Sequence, residues 1–225
     1  MLKLKYLSHS CFVLNDGTSK LIIDPFISGN PTVNYTEDDL DVQYVILTHA
    51  HGDHLGDGIN IAKRNNALII ATNELANYVS SQGCNAHNMH TGGGYNFPFG
   101  RVKFTIAHHG SSLNDGTNLG SASGVIVKMS GRTIYHAGDT GLFLDMKLIG
   151  EIDKIDVALL PIGDNFTMGI NDAVKAVEFV NPGLAIPMHY NTFGLIKADP
   201  QEFADKVAGI RKRAKVMEFG EEITL

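Results

Sequence analysis

Apolar positions recur in short runs along the whole chain, and their spacing predicts alternating strands and helices. Leu2–Leu7, Cys11–Leu14 and Lys20–Ile23 alternate or run apolar, with Asp16-Gly17 as a turn between the last two. Val42–Leu47 is a continuous apolar run that fits a buried strand. A helix is expected from Asp53 through Lys63, then a strand at Ala67–Ala71 and a helix at Asn73–Ser81. Residues 86–99 read as loop. Val102–Ala107 reads as a strand, and Val125–Met129 with Thr133–His136 reads as a hairpin around Ser130-Gly131-Arg132. Val157–Pro161 is a further strand, followed by a helix from an Asn171 cap to Val180. Leu184–Pro187 is a strand. Asp199-Pro200 opens the last helix, with Asp as cap and Pro at its first position. Val216–Phe219 reads as the final strand.

The ends of these strands carry a second pattern. Asp24, His49, His109, Asp139 and His189 each follow an apolar strand. Polar groups at strand ends can converge on one rim of a sheet, where loops carry chemistry and strands keep it rigid.

Composition narrows the classes. The 225 residues are 44% hydrophobic, so the chain can bury a full core, and it reads as one domain over 1–225. A net charge of −6 and the lack of a Lys/Arg run argue against a nucleic-acid surface. Two cysteines, Cys11 and Cys84, make no disulfide framework. No segment has signal-peptide or membrane-span character, so a soluble cytoplasmic protein is expected.

The densest chemistry lies in Thr48–Asp57, T-H-A-H-G-D-H-L-G-D. His49 and His51 are two apart, so in extended backbone their rings share a side and can share a metal ion. Asp53 and His54 follow at the expected helix start and can hold a second ion. Gly52 allows the sharp turn between the pairs. Imidazole nitrogen and carboxylate oxygen suit zinc, manganese or iron, since no thiolate selects a softer metal.

With the downstream motifs A-H-H-G-S-S, H-A-G-D-T and P-M-H-Y-N-T, the chain resembles the metallo-β-lactamase superfamily. The longer motifs Y-L-S-H-S-C-F (6–12), I-D-P-F (23–26) and Y-H-A-G-D-T (135–140) narrow the resemblance. So do L-P-I-G-D-N-F-T-M-G (160–169) and I-P-M-H-Y-N-T-F (186–193). They are most similar to a branch of metal-dependent hydrolases close to the L-ascorbate-6-phosphate lactonases. The resemblance implies an α/β fold of αββα type, two packed β-sheets with helices on the outer faces. It implies two divalent metal ions. His49, His51 and His109 would hold the first, Asp53, His54 and His189 the second, and Asp139 would bridge them. The third motif reads Ala107-His108-His109, so either ring could point inward; alignment on Ala107 selects His109. Asp24 would orient a ligand imidazole. His9 would lie near the metals, as ligand or proton donor.

Weaker expectations attach to other residues. His136, three before Asp139, could support the site or simply pack beneath a strand. Asp164, Asn165, Thr167 and Asn191 are expected to line substrate. Ser111 and Ser112 are candidate nucleophiles, although a metal-bridged hydroxide would need none. Asp53, Asp139 and His9 are the expected catalytic groups. The expected reaction is hydrolysis of a small polar ester, lactone or phosphodiester. A nucleotide or nucleic-acid phosphodiesterase and a non-catalytic metal or ligand sensor are the alternatives. A homo-oligomer is compatible with the sequence.

Overall fold

In a computed structural model, described for residues 1–33 and 35–225, the chain forms two mixed sheets packed face to face. The first holds, in spatial order, β13 (Glu222–Thr224), β1 (Lys3–Ser8), β2 (Cys11–Asn15), β3 (Lys20–Ile23), β4 (Tyr44–Ile46), β5 (Leu68–Thr72) and β6 (Asn85–Met89). The second runs β12 (Leu184–Met188), β11 (Val157–Pro161), β10 (Arg132–His136), β9 (Ser123–Met129), β8 (Gly100–Ile106) and β7 (Gly94–Phe97).

Period-two alternation explains the packing. Leu4, Tyr6, Phe12, Leu14, Leu21, Ile23, Ile46 and Ile70 meet Val102, Phe104, Val125, Val127, Ile134, Leu159 and Ile186 between the sheets. The intervening residues face outward onto helices. Val13, Ile22, Val45 and Ile69 pack in one outer cluster with α2 (Gly58–Asn65) and α3 (Asn73–Ser81). Ile126, Tyr135, Ala158, Leu160 and Ala185 pack with α4 (Met146–Asp153), α5 (Ile170–Val180) and α6 (Pro200–Gly209). The expected αββα architecture is therefore the observed one, and burial on both faces is why these strands read as apolar runs.

Several boundaries differ from the sequence reading, each for a local reason. The expected 53–63 helix is split into α1 (Gly52–Leu55) and α2, because Gly56 leaves helical geometry at φ +43°. The segment 86–99, expected as loop, carries β6 and β7. Both are sheet edges with mostly unburied side chains, so backbone pairing forms them without an apolar signal. Helix α4 fills a segment assigned no element. The final strand is Glu222–Thr224 on the edge of β1 rather than Val216–Phe219. The N-cap of α5 is Gly169 rather than Asn171. The Asp199 cap of α6 is as expected, its carboxylate accepting from Gln201 N at 2.8 Å. The expected hairpin joins β9 and β10 through Ser130 (φ +49°) and Gly131 (φ +77°), which gives a two-residue turn matched to strand twist.

Gly56 also positions the site. A Cβ there would lie 2.3 Å from the Pro25 carbonyl oxygen, and the residue has a backbone shape that side chains disfavour. Next to it, Asp57 accepts from Ile27 N (2.9 Å) and Ser28 N (2.7 Å), so the turn after α1 clamps the segment following Asp24. Gly56→Ala should cost about 2–4 kcal/mol in urea unfolding, through clash and strain together. Gly17→Ala, with nothing within 4 Å of the added carbon, should cost only about 1 kcal/mol. Equal losses would refute the clamp.

Candidate metal centre

The polar residues at the strand ends do meet. Asp24 follows β3, His49 follows β4, His109 follows β8, Asp139 follows β10 and His189 follows β12. His9 sits at the tip between β1 and β2. The chain must turn sharply at these points, and His9 (φ +56°), Asp24 (φ +46°) and His189 (φ +54°) take left-handed backbone. Such strain in non-glycine residues costs about 1–3 kcal/mol each and concentrates at functional sites.

Two clusters share one wall. In the first, His49 Nε2 lies 3.0 Å from His51 Nδ1, and His109 Nε2 lies 3.2 Å from that same atom. In the second, Asp53 Oδ2 lies 3.1 Å from His9 Nε2, 3.8 Å from His189 Nε2 and 3.9 Å from His54 Nε2. Asp139 stands between them: its oxygens are 3.2 Å from His54 Nε2, 3.0 Å from His189 Nε2 and 3.6 Å from His109 Nε2. His108 is not in the cluster. It is exposed and packs against Phe143 with ring centroids 5.2 Å apart, so His109 is the ring that points inward.

A hydrogen-bond frame fixes which ring nitrogens face the centre. Asp24 accepts from Thr48 N (2.8 Å), Thr48 Oγ1 (2.6 Å) and His54 Nδ1 (2.8 Å). A carboxylate only accepts, so His54 carries its proton on Nδ1 and presents the bare Nε2 inward. The Thr48 hydroxyl proton is used on Asp24, so Thr48 Oγ1 accepts from His49 Nδ1 at 3.0 Å. His49 then also presents a bare Nε2. His136 is fully buried: its Nδ1 accepts from Gly138 N (3.1 Å) and its Nε2 donates to the Ser10 carbonyl (2.9 Å). It ties the turn bearing Asp139 to the turn bearing His9.

Electrostatics favour a cation here. Burial opposes ionisation of Asp139, yet His189 and His54 outweigh it and hold the carboxyl well below the usual range. Burial likewise opposes Asp53, and His54, His189 and His9 together pull it low. Burial would keep His189 neutral, but Asp139 and Asp53 raise it to about 9. Burial drives His9 down to about 4 despite Asp53 beside it. His54 Nε2, Asp139 Oδ1 and His189 Nδ1 are buried without a hydrogen-bond partner among the described residues. Bonds of about 2.0–2.2 Å to a tetrahedral ion place donors about 3.3–3.6 Å apart, and the separations above bracket that range. The donor set therefore fits divalent metal ions.

The expected substrate residues are placed elsewhere. Asp164 borders a cleft of about 460 Å³ with Asn171, Lys197, Glu202 and Lys206, none of which belongs to the cluster. Asn165 is exposed, and the Thr167 hydroxyl donates to the Met168 carbonyl. Asn191 exchanges both amide hydrogen bonds with the Ala198 backbone at 3.0 Å, which closes its own loop. Ser111, a candidate nucleophile, is instead a buried clamp: its hydroxyl accepts from Ala50 N at 3.2 Å, between the two first histidines. Thr48, Ser111 and Thr192, whose hydroxyl lies 2.9 Å from His9 Nδ1, fall inside the quoted motifs, yet the sequence reading assigned none of them these hydrogen-bonding roles. Thr48 alone had a hint, its place directly before the first histidine.

The profile described as "Beta-lactamase superfamily domain" matches residues 3–189, most of the chain and every residue of the cluster. The chain belongs to the beta-lactamase superfamily. Within the superfamily, it is 48% identical to a UPF0173 metal-dependent hydrolase of Bacillus cereus (strain G9842), over 100% of both chains. The solved structure of Igni18, a metallo hydrolase from the archaeon Ignicoccus hospitalis, is 37% identical with a TM-score of 0.91, over 99% of this chain and 97% of that one. An isothiocyanate hydrolase from Delia radicum gut bacteria shares the fold at 22% identity and a TM-score of 0.77, over 99% and 98% of the two chains. This chain shares the enzyme class of its nearer relatives, a metal-dependent hydrolase of the metallo-β-lactamase fold. Among the described residues, no helix is long and apolar enough to cross a membrane.

The Asp24–Thr48–His49 relay gives a direct test. Thr48→Val keeps the shape but removes the acceptor for His49 Nδ1, and should weaken zinc binding about 10–100-fold in a chelator competition. Thr48→Ser should restore most of it. Equal affinity in both variants would refute the relay.

Proposed function

We propose that the chain hydrolyses a small polar ester, lactone or phosphodiester at a centre of two divalent ions, zinc, manganese or iron. His49, His51 and His109 would hold one ion, Asp53, His54 and His189 the other, and Asp139 would serve both. The observation that carries this reading is the convergence of these seven donors, with separations of 3.0–3.9 Å between neighbours. Divalent ions at such a centre lower the pKa of bound water from about 15.7 toward about 7 and polarise a carbonyl or phosphoryl oxygen.

The chain's own residues do the rest. Asp24 and Thr48 hold His54 and His49 with their lone pairs turned inward. Asp139 carries negative charge between the two cations and reduces their repulsion. Asp53 has 25% side-chain exposure against 3% for Asp139, so it is the carboxylate best placed to exchange a proton with substrate or solvent. His51 and His109 are partly exposed, which opens the three-histidine side to substrate. Phe193 and Phe26 stand edge-on to His9, with centroids 5.4 and 5.7 Å away, and keep water from that side. Substrate contacts from Asp164, Asn165, Thr167 and Asn191 would need the surrounding loops to reach inward.

Metal analysis of protein purified without added metal or chelator should find two equivalents. Asp139→Ala should abolish turnover against a panel of esters, lactones and phosphodiesters, and should lower the metal content. Full activity of Asp139→Ala, or wild-type protein free of metal yet active, would overturn the reading.

A further inference from the structure

The glycine between the two clusters is not there for backbone freedom. Gly52 opens α1 without the left-handed φ that Gly56 takes. What it lacks is a side chain, and another residue fills that space. A Cβ at position 52 would meet the Asn114 amide, with Nδ2 and Oδ1 both 3.4 Å away and Cγ at 3.8 Å. The polar end of the amide is therefore aimed at the backbone joining His51 to Asp53. Asn114 is exposed, and no described residue hydrogen-bonds its amide, which leaves it free for substrate.

The loop that brings Asn114 there, between β8 and β9, is built to hold its place. Its base is pinned under the first histidines by Ser111, which accepts from Ala50 N, and by buried Leu119, whose N donates to the Ser111 carbonyl at 2.8 Å. Gly110 passes the His51 ring, since a Cβ there would lie 3.8 Å from its Nε2. Higher up, Ser112 pairs with Asn118, and Leu113 N donates to the Thr117 carbonyl at 2.9 Å. The loop thus borders the three-histidine side, the side that His51 and His109 leave open.

The surroundings are uncharged or acidic. Segments 8–10, 24–33, 48–57, 108–123, 137–145 and 189–196 carry or adjoin the cluster, and none contains Lys or Arg. The next cation after them, Lys197, lines the separate cleft with Asp164. Beside Asn114 stands the exposed carboxylate of Asp115. Phe193 packs on His9 and Phe26 and still shows 36% of its surface, an apolar wall on the other side. Recognition of a phosphate or carboxylate usually employs an Arg or Lys clamp; an amide and an aromatic ring suit a neutral molecule.

We propose that Asn114 orients an uncharged carbonyl substrate, an ester or lactone, by hydrogen bonding to it over the three-histidine side. The inference rests on the hydrolase reading above and narrows its substrate class.

Two measurements on cobalt-loaded protein test it. The first is titration with acetohydroxamic acid, a metal-binding carbonyl compound uncharged in neutral solution, followed by visible absorption. Asn114→Leu and Asn114→Asp should each bind it about three- to tenfold more weakly than wild type. Asn114→Gln, which keeps the amide, should recover part of that loss. The spectrum before addition should match wild type in all three variants, which a displaced loop would not allow. Unchanged affinity in Asn114→Leu, or a loss with an altered starting spectrum, would overturn the orienting role. The second is turnover of γ-butyrolactone, of its analogue bearing a carboxylate on the ring, and of bis(p-nitrophenyl) phosphate. Wild type should favour the neutral lactone over the carboxylate analogue by at least about tenfold in kcat/KM. Preference for the charged lactone, or turnover of the diester alone, would overturn the substrate class, as would cobalt-loaded protein inactive on all three. Wild type that takes up no cobalt would instead sink the metal-centre reading beneath it.

Discussion

The buried carboxylate of Asp24 is the point from which the centre is organised. It has no exposed surface, and its three hydrogen bonds all come from Thr48 and His54. One of these orients His54 directly and another orients His49 through a hydroxyl. A single side chain thereby sets the ring tautomer on both sides of the cluster. The cost of burying that charge is met by donors of fixed position, and those donors gain direction in return. Without them, the rings of His49 and His54 could flip or swap tautomers. Ligand geometry would then depend on the ion rather than on the protein.

The backbone around the centre shows the same division of labour. Sheets supply straight, apolar strands that end together, and each polar residue appears where a strand stops. The left-handed backbone at His9, Asp24 and His189 is the local distortion needed to bring side chains inward over so short a distance. Buried groups outside the cluster hold that distortion in place: Tyr6 through the His9 carbonyl, and His136 through Ser10 and Gly138.

Much of this was legible in the sequence. Strands buried on both faces announce themselves as apolar runs, which is why the layers could be inferred. The residues that meet in the cluster were legible because most of them follow those runs and because the spacing of His49, His51, Asp53 and His54 suits a metal; their division between two ions came from the resemblance. The choice of His109 over His108 was open on alternation alone, and the packing of His108 on Phe143 decides it. Edge strands β6 and β7 were illegible because backbone pairing, not burial, forms them. The hydrogen-bonding roles of Thr48, Ser111 and Thr192 were illegible because a hydroxyl has no distinctive spacing. Its role depends on which atoms the fold brings within 3 Å. The expected role of Asp164 followed from the resemblance of its loop, and that of Asn191 from its place two residues beyond His189. In space, Asn191 turns its amide back onto its own loop.

The centre draws on both sheets. His9, Asp24 and the His49–His54 run come from the first, and His109, Asp139 and His189 from the second. Asp139 meets His54 across that divide, so neither sheet alone carries a complete position for an ion. Contacts of this kind join residues 58 or more apart in the chain, and non-local pairings of such span are the slow ones to form. A metal ion held by these residues would touch both halves at once, and would act as a lock on the seam between them.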